Sequence, residues 1–439
     1  MFGIRIDEDD HVDEVLSGDL GFHASDGGHP RHSIHAFAAK FPPQLPAWFI
    51  ERLTEPGNTV FDPFLGSGTT VVEAMRLHRV GVGLDIDPLA VLMSRVKTFS
   101  LDASEVVRIG RSITFNATQA LNDEQGLQQK LQLRFSDKKD REFIDYWFLP
   151  KTALELEALI EQIETVEELL YRQYFLVVFS SIIVTKSGGV SMARDLAHSR
   201  PHRVMDKVPK SAIESLDKRL TKLLPALAEV YSPYAPRIEQ GDVRAVKLPD
   251  ESVDLIVTSP PYANAIDYVR ANKFSLVWMG RPLKELSILR SNYIGTESKK
   301  LYDWGVFPPS VIHILETLKG KDKDKAGLLA RYYWDMLEAM KEMYRVLKPG
   351  KSAFIVVGTS TMRGIDVETP FSLAEIAKIV GFSLRGVVER SLDRDRRMMP
   401  ARWGNKETSI EERMHSEHVI GITKPKAKEN VSCAKTEAI

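Results

Sequence analysis

Apolar residues recur at two different spacings along this chain, and the change of spacing divides it. The runs Thr59–Asp62, Arg79–Asp85 and Val253–Val257 are short, rich in β-branched residues and mostly apolar, as strands buried in a parallel sheet should be. Between the first two, Gly66-Ser67-Gly68 predicts a turn and Thr69 to Leu77 a helix, which makes a β-α-β unit. From about residue 100 to 236 the period lengthens. "KTALELEALIEQIETVEELLYRQYFLVVFSSIIV" and "SAIESLDKRLTKLLPALAEVY" carry Leu and Ile three and four apart, the spacing of helices. The strand period returns near residues 237–240 and 253–258, then at about 352–358, after "GFSLRGVVER" begins, and in "EHVIGITKP". The chain therefore reads as α/β, a doubly wound sheet of about seven strands with a large, mostly helical insertion. The expected boundaries are a loose arm over 1–30, a catalytic unit in two pieces over 31–99 and 237–423, the insertion over 100–236, and a flexible polar tail over 424–439.

Composition narrows the classes. Hydrophobic residues make up 43% and charged residues 27% of the 439, ordinary for a water-soluble globular protein with a sizeable core. The single cysteine, Cys433, sits in the polar tail, which excludes a disulfide framework and a thiolate metal cluster and points to a reducing, cytoplasmic home. "FLVVFSSIIV" is too short to span a bilayer, and "MFGIRIDEDD" lacks the basic start and apolar core of a signal peptide, so no membrane partner is expected. The formal net charge is −1, so a polyanion must be met by a local basic patch. "KSGGVSMARDLAHSRPHRVMDK" supplies one, with Arg194, Arg200 and Arg203 as candidate phosphate contacts beside Lys186 and Lys207; "RSLDRDRRMMPARWGNK" is a second. His198 and His202 stand at helical spacing with no carboxylate constellation to support a metal.

Two stretches carry candidate chemistry. In "FDPFLGSGTT", Gly66 and Gly68 allow close approach of backbone to a ligand at a strand end and a helix N-terminus. Asp85, seventeen positions beyond Gly68, ends the next strand, where a carboxylate accepts from ribose hydroxyls. No Lys follows the glycines, which argues against a triphosphate and for a nucleoside without phosphates. In "TSPPYANAIDYVR", Pro260 and Pro261 stop a core strand with a stiff corner and set Tyr262 upon it.

Together these stretches resemble the AdoMet-dependent amino-methyltransferases of DNA, which modify exocyclic nitrogens of cytosine or adenine. "DPFLGSGTT" is similar to their cofactor motif, which implies cofactor contacts at Asp62, Phe64, Gly66, Ser67, Gly68 and Thr69. "GLDIDP" resembles their ribose-binding motif around Asp85, and "AKFPPQL" the segment that meets the methionine end, through Ala39, Lys40 and Phe41. Asp242 matches an acidic residue near the cofactor's adenine, and "TSPPY" the catalytic motif, with Ser259, Pro260, Pro261 and Tyr262. "RVLKPGKSAFIVVG" resembles a later strand motif, with Lys351 where a second glycine is more usual. The resemblance implies a Rossmann-like methyltransferase sheet, S-adenosyl-L-methionine as cofactor, and double-stranded DNA with a flipped target base as partner.

The chemistry explains the proline corner. An exocyclic amine is a poor nucleophile because its lone pair is delocalised into the ring. Acceptors drawing on its N–H groups favour a more tetrahedral nitrogen, and the resemblance gives that part to the Ser259 side chain and the Pro260 carbonyl. The prolines preorganise them, and Tyr262 offers a face to a base taken out of the stack. No metal or covalent intermediate is needed. A Ser at the first motif position is commoner in cytosine-N4 enzymes of the family, so that target is expected, with adenine-N6 as the alternative. An RNA methyltransferase and a non-catalytic DNA-binding subunit are the remaining readings. A restriction–modification pair with a cognate endonuclease, or a solitary methylase, is the implied setting.

Overall fold

The structure, a computed structural model, describes residues 8–22, 28–37, 40–185, 189–194, 202–227, 232–263, 268–295, 303–392 and 416–426. Its strands are β1 (Thr59–Asp62), β2 (Val80–Asp85), a small ribbon β3–β4 (Ala193–Arg194 with His202–Arg203), β5 (Arg237–Gln240), β6 (Val253–Thr258), β7 (Leu347–Gly358), a second ribbon β8–β9 (Thr361–Met362 with Ile365–Asp366), β10 (Ser383–Ser391) and β11 (Ser416–Thr423). Seven of them form one sheet in the order β10-β11-β7-β6-β1-β2-β5. The run from β7 through β6, β1 and β2 to β5 is parallel, and β11 enters antiparallel between β7 and β10. The doubly wound α/β expectation holds. From β1 the chain turns to β2 on one side, while β6 on the other side leads on to β7. The switch point therefore lies between β1 and β6, and ligands of such sheets bind outside the strand ends there.

Period-two burial builds the two faces. Val60, Leu255, Val257, Phe354, Val356 and Val419 point to one side, where Phe354 stacks on Phe49 of the helix Gln44–Leu53 with ring centroids 3.9 Å apart. Phe61, Ile256, Ile355, Val357, Ile420 and Ile422 point to the other, under the helices Pro309–Lys321, Lys323–Val346 and Thr369–Val380. The described residues within 103–227 are mainly helical, from Ala103–Ala120 to Ala212–Leu223. Their core is continuous with Leu89, Met93 and Val96 of the helix Pro88–Thr98 and with Phe274 and Trp278 of the helix Tyr268–Trp278. The insertion is thus packed onto helices that flank both motif loops.

Two expectations at the chain ends are corrected. Residues 8–22 are not a loose arm: Glu8–Leu16 is a helix that buries Val12, Val15 and Leu16, followed by buried Leu20. Gly386 and Gly421 make room for it, since a Cβ on Gly421 would fall 2.7 Å from Leu16 Cδ2. Asp13 pairs with Arg385 (2.8 Å), and Trp48 Nε1 donates to the Val15 carbonyl. At the other end Lys424 does not open the tail. It is buried, its ammonium donating to the Leu347 carbonyl (2.9 Å) and pairing with Glu251 (3.1 Å). No helix among the described residues is long and apolar enough to cross a membrane.

Candidate active site

The site grows from the ends of β1 and β6. Asp62, the last residue of β1, is buried and accepts from the Thr258 hydroxyl at the end of β6 (2.6 Å) and from the Phe64 amide (3.2 Å). Burial pushes its carboxyl up to about 6. Beyond Asp62 the chain turns through Gly66 and Gly68, at φ 48 and 79, and enters the helix Thr69–Arg76. The glycines serve a close approach. A Cβ on Gly66 would stand 3.1 Å from the Phe37 ring, and one on Gly68 2.6 Å from Ser94 Oγ.

Asp85 ends β2 and ties the turn down. Its carboxylate accepts from the amides of Gly66 (2.7 Å) and Asp87 (2.9 Å), so the Gly66 amide faces the carboxylate and not a ligand. Desolvation, with the charge on Asp87 second, pushes the Asp85 carboxyl up to about 7. An open cavity of about 870 Å³ lies here, walled by Asp62, Phe64, Gly66, Ser67, Thr69 and Asp85. Lys40 and Phe41 line it too, the Lys40 ammonium donating to the His32 carbonyl (2.9 Å). Ala39 lies outside the described residues.

The same cavity reaches the proline corner. Ser259 and Pro261 line it and Pro260 is buried. Tyr262 does not line it; it is buried, with its hydroxyl donating to Glu417 (2.8 Å). Asn264 and Asp267, which follow the corner in "ANAIDYVR", lie outside the described residues. Asp242 is placed differently from its expected neighbours. Gly241 and Val243 line the wall, while the Asp242 carboxylate accepts from the Arg244 guanidinium (2.6 Å). Arg244 also pairs with Asp335 (2.7 Å) and donates to the Asn292 carbonyl (2.8 Å).

Several wall residues were not visible in the sequence pattern. Asn292, Tyr293 and Ile294 follow the helix Leu283–Ser291 and close one side of the cavity, with no motif to announce them. Lys97 supports the glycine turn from behind: fully buried, it donates from its ammonium to the Ser67 carbonyl (2.7 Å). Nothing in "SRVKT" separates it from a surface helix lysine.

In the insertion, Arg194 and Arg203 lie on the β3–β4 ribbon, Arg194 exposed and Arg203 with its guanidinium 4.7 Å above the Tyr146 ring. Lys207 donates to the Ala193 carbonyl (2.9 Å), and burial with the Arg194 charge lowers its ammonium to about 8. Arg200, Lys186, His198 and the Arg394–Arg397 stretch lie outside the described residues. No group of three or more His, Cys, Asp or Glu suited to a metal occurs among the described residues.

A switch-point cavity shared by a glycine turn, an acidic strand end and a Ser-Pro-Pro-Tyr corner defines a nucleoside-dependent group-transfer site. The DNA methylase family matches residues 20–95 and 253–423, more than half of the chain, and the chain belongs to it. It is 24% identical over 403 residues to the Type II methyltransferase M.MvaI of Kocuria varians, covering 85% of this chain and 88% of that one. It is 22% identical over 366 residues to the Type II methyltransferase M.AvaI of a Nostoc species, covering 75% and 74%. A shorter match, 38% over 78 residues, joins it to the Type II methyltransferase M.MjaII of Methanocaldococcus jannaschii, covering 18% and 15%. The cofactor of such a DNA methyltransferase is S-adenosyl-L-methionine, and the donor set fits it. Asp85 brings a carboxylate to the cavity wall, and Phe64 and Ile294 give that wall apolar surface of the kind a purine ring needs.

Proposed function

We propose that this DNA methyltransferase modifies the exocyclic N4 of cytosine in double-stranded DNA, at a base flipped out of the stack. The observation that carries the reading is that Ser259 shares one cavity wall with Asp62, Gly66 and Asp85. The cofactor supplies a sulfonium methyl; the chain's residues supply place and charge. Asp85 holds the ribose, and the Phe41 and Lys40 segment with Ser67 encloses the methionine end. The Ser259 hydroxyl and the Pro260 carbonyl accept from the target amine and favour its nucleophilic geometry, on a corner whose prolines leave little freedom. Alignment of amine and methyl accounts for most of the rate. A neutral hydroxyl at 259 is a weaker, shorter acceptor than a carboxylate and suits an amine lying closer to the backbone, which favours cytosine over adenine. The corner needs no dedicated base, because the nitrogen becomes strongly acidic only after transfer and its proton then passes to water at the open mouth of the cavity.

The insertion, with Arg194, Arg200 and Arg203, grips the phosphates beside the flipped base. Type II relatives along most of the chain support a role as the modification half of a restriction–modification pair, with a cognate endonuclease as functional partner. The test is to methylate DNA with the purified protein, digest it to nucleosides and weigh the product. N4-methyldeoxycytidine is expected; N6-methyldeoxyadenosine as the sole product would replace the cytosine assignment with the adenine one.

A further inference from the structure

Tyr262 is held by a buried chain of contacts that begins far away in sequence. Its hydroxyl donates to one carboxylate oxygen of Glu417 (2.8 Å), and Arg390 donates to the other (2.6 Å). Glu417 and Arg390 face each other across the β10–β11 pair, and Glu417 also sits opposite Gly358, the last residue of β7. Arg390 in turn donates to the carbonyls of Leu20 (2.9 Å) and Gly21 (3.5 Å), just after the N-terminal helix. All three side chains lie in the interior, Tyr262 at 9%, Glu417 at 8% and Arg390 at 4% exposure. A buried ion pair is expensive unless its remaining hydrogen-bonding capacity is used. Here that capacity is used on the tyrosine of the catalytic corner and on backbone that clamps the pair from behind.

We infer that Glu417 and Arg390 are positioning residues for methyl transfer: through the buried Tyr262 side chain they brace the proline corner that carries Ser259 and the Pro260 carbonyl. This rests on the reading of that corner as the part of the site that meets the target amine. The corner itself controls only one end of the side chain: Pro261 stiffens the backbone, and the ring passes into the core beneath it. The other end is fixed from β11. With both ends held, the corner is set before any base arrives, which is the preorganisation an alignment-dependent transfer requires. The N-terminal segment belongs to the same device, since the guanidinium that holds Glu417 also donates to the carbonyls of Leu20 and Gly21.

The test uses full-length protein, unmethylated phage DNA and labelled S-adenosyl-L-methionine, with single-turnover rates and calorimetric cofactor affinity measured side by side. Tyr262→Phe, which keeps the ring and removes the tether, should slow single turnover roughly ten- to a hundredfold while leaving cofactor affinity unchanged. Glu417→Gln, which retains an acceptor for the hydroxyl, should fall between wild type and Glu417→Ala. Tyr262→Phe combined with Glu417→Ala should cost no more than the worse single variant, because both cut the same link. Wild-type rates in Tyr262→Phe and Glu417→Gln, with Tyr262→Ala inactive, would overturn the inference and leave the ring's packing role standing. A fully active Tyr262→Ala would show that the corner needs no brace and remove the inference with it. If Glu417→Ala does not fold, Tyr262→Phe and Glu417→Gln decide alone.

Discussion

The hydroxyl of Thr258 donates to the carboxylate of Asp62 across 2.6 Å, joining the last residues of β6 and β1 inside the sheet. These two strands are neighbours, and each leads directly into one of the two motif loops. The bond therefore sets the distance between the cofactor turn and the proline corner. It also gives a buried carboxyl a close donor, and burial still lifts that carboxyl to about 6.

Thr258→Val should keep the shape and remove this donor. The Asp62 carboxylate would retain the Phe64 amide but lose its shortest bond, so its pKa should rise further. We expect a loss of about 1–3 kcal/mol in folding stability, the usual cost of stranding a buried polar group. Chemical denaturation and single-turnover kinetics check it. A variant of unchanged stability and rate would show that the strand ends keep their spacing without the bond.

With the proposed ribose contact, Asp85 should make cofactor binding depend on pH. Its folded carboxyl, raised to about 7, takes up a proton before an ordinary carboxyl does, whereas ribose hydroxyls donate best to the ionised form. Binding should release protons between about pH 6 and 8, and affinity should fall as pH drops through that window, by at most about tenfold per pH unit. The sign for stability is opposite. With its folded pKa above the unfolded one, Asp85 destabilises the ligand-free fold as pH rises from about 4 to 7, because the native state then gives up a proton the unfolded chain has already lost. Calorimetry in buffers of different ionisation enthalpy measures the release. Asp85→Asn should abolish the slope, and Asp85→Ala should weaken binding by about 1–3 kcal/mol.

Gly68 tests the turn. Its φ of 79 belongs to glycine, and an added Cβ would lie 2.6 Å from Ser94 Oγ and 2.8 Å from Ser94 Cβ. Gly68→Ala should cost about 1–3 kcal/mol through backbone strain and push away the helix Pro88–Thr98 that frames the cofactor wall. Adding Ser94→Gly should relieve the clash but not the backbone strain, so thermal unfolding should show partial recovery. Full recovery would mean that φ carries no cost there.

These residues also show what a sequence discloses. The turn, Asp85 and the Ser-Pro-Pro-Tyr corner were legible because each acts through local backbone geometry, which glycine, proline and strand ends write into contiguous letters. The sheet was legible for the same reason: Val253–Val257 is apolar except at Asp254. Glu417, Lys97 and the 292–294 wall act across long sequence separations, and a lone Glu or Lys looks the same whether solvated or buried. The helix Glu8–Leu16 was missed for a different reason. Its composition is acidic, but Val12, Val15 and Leu16 stand three and four apart, and that spacing was the available signal. Asp242 teaches the reverse: a matched letter locates a backbone position at the wall, while the side chain answers to Arg244.

The insertion's part in holding DNA has its own measurement. A chain of net charge −1 gains no general attraction for a polyanion, so its grip must come from places where positive charge is concentrated. The β3–β4 ribbon is one, bringing Arg194 and Arg203 onto paired strands with Lys207 beneath. Arg203 is held over Tyr146 and is half-buried, while Arg194 is exposed. Each arginine that neutralises a phosphate releases a counterion, and the log–log salt slope of binding carries about 0.9 per contact. Arg194→Gln and Arg203→Gln together should therefore flatten the slope by nearly 2, measured by fluorescence anisotropy on duplex DNA between about 50 and 200 mM salt. Cofactor affinity should not move, because neither residue lines the cavity. A lowered affinity with an unchanged slope would point to a folding defect in the ribbon. An unchanged affinity and slope would remove the ribbon from the DNA path and direct the search to another basic surface.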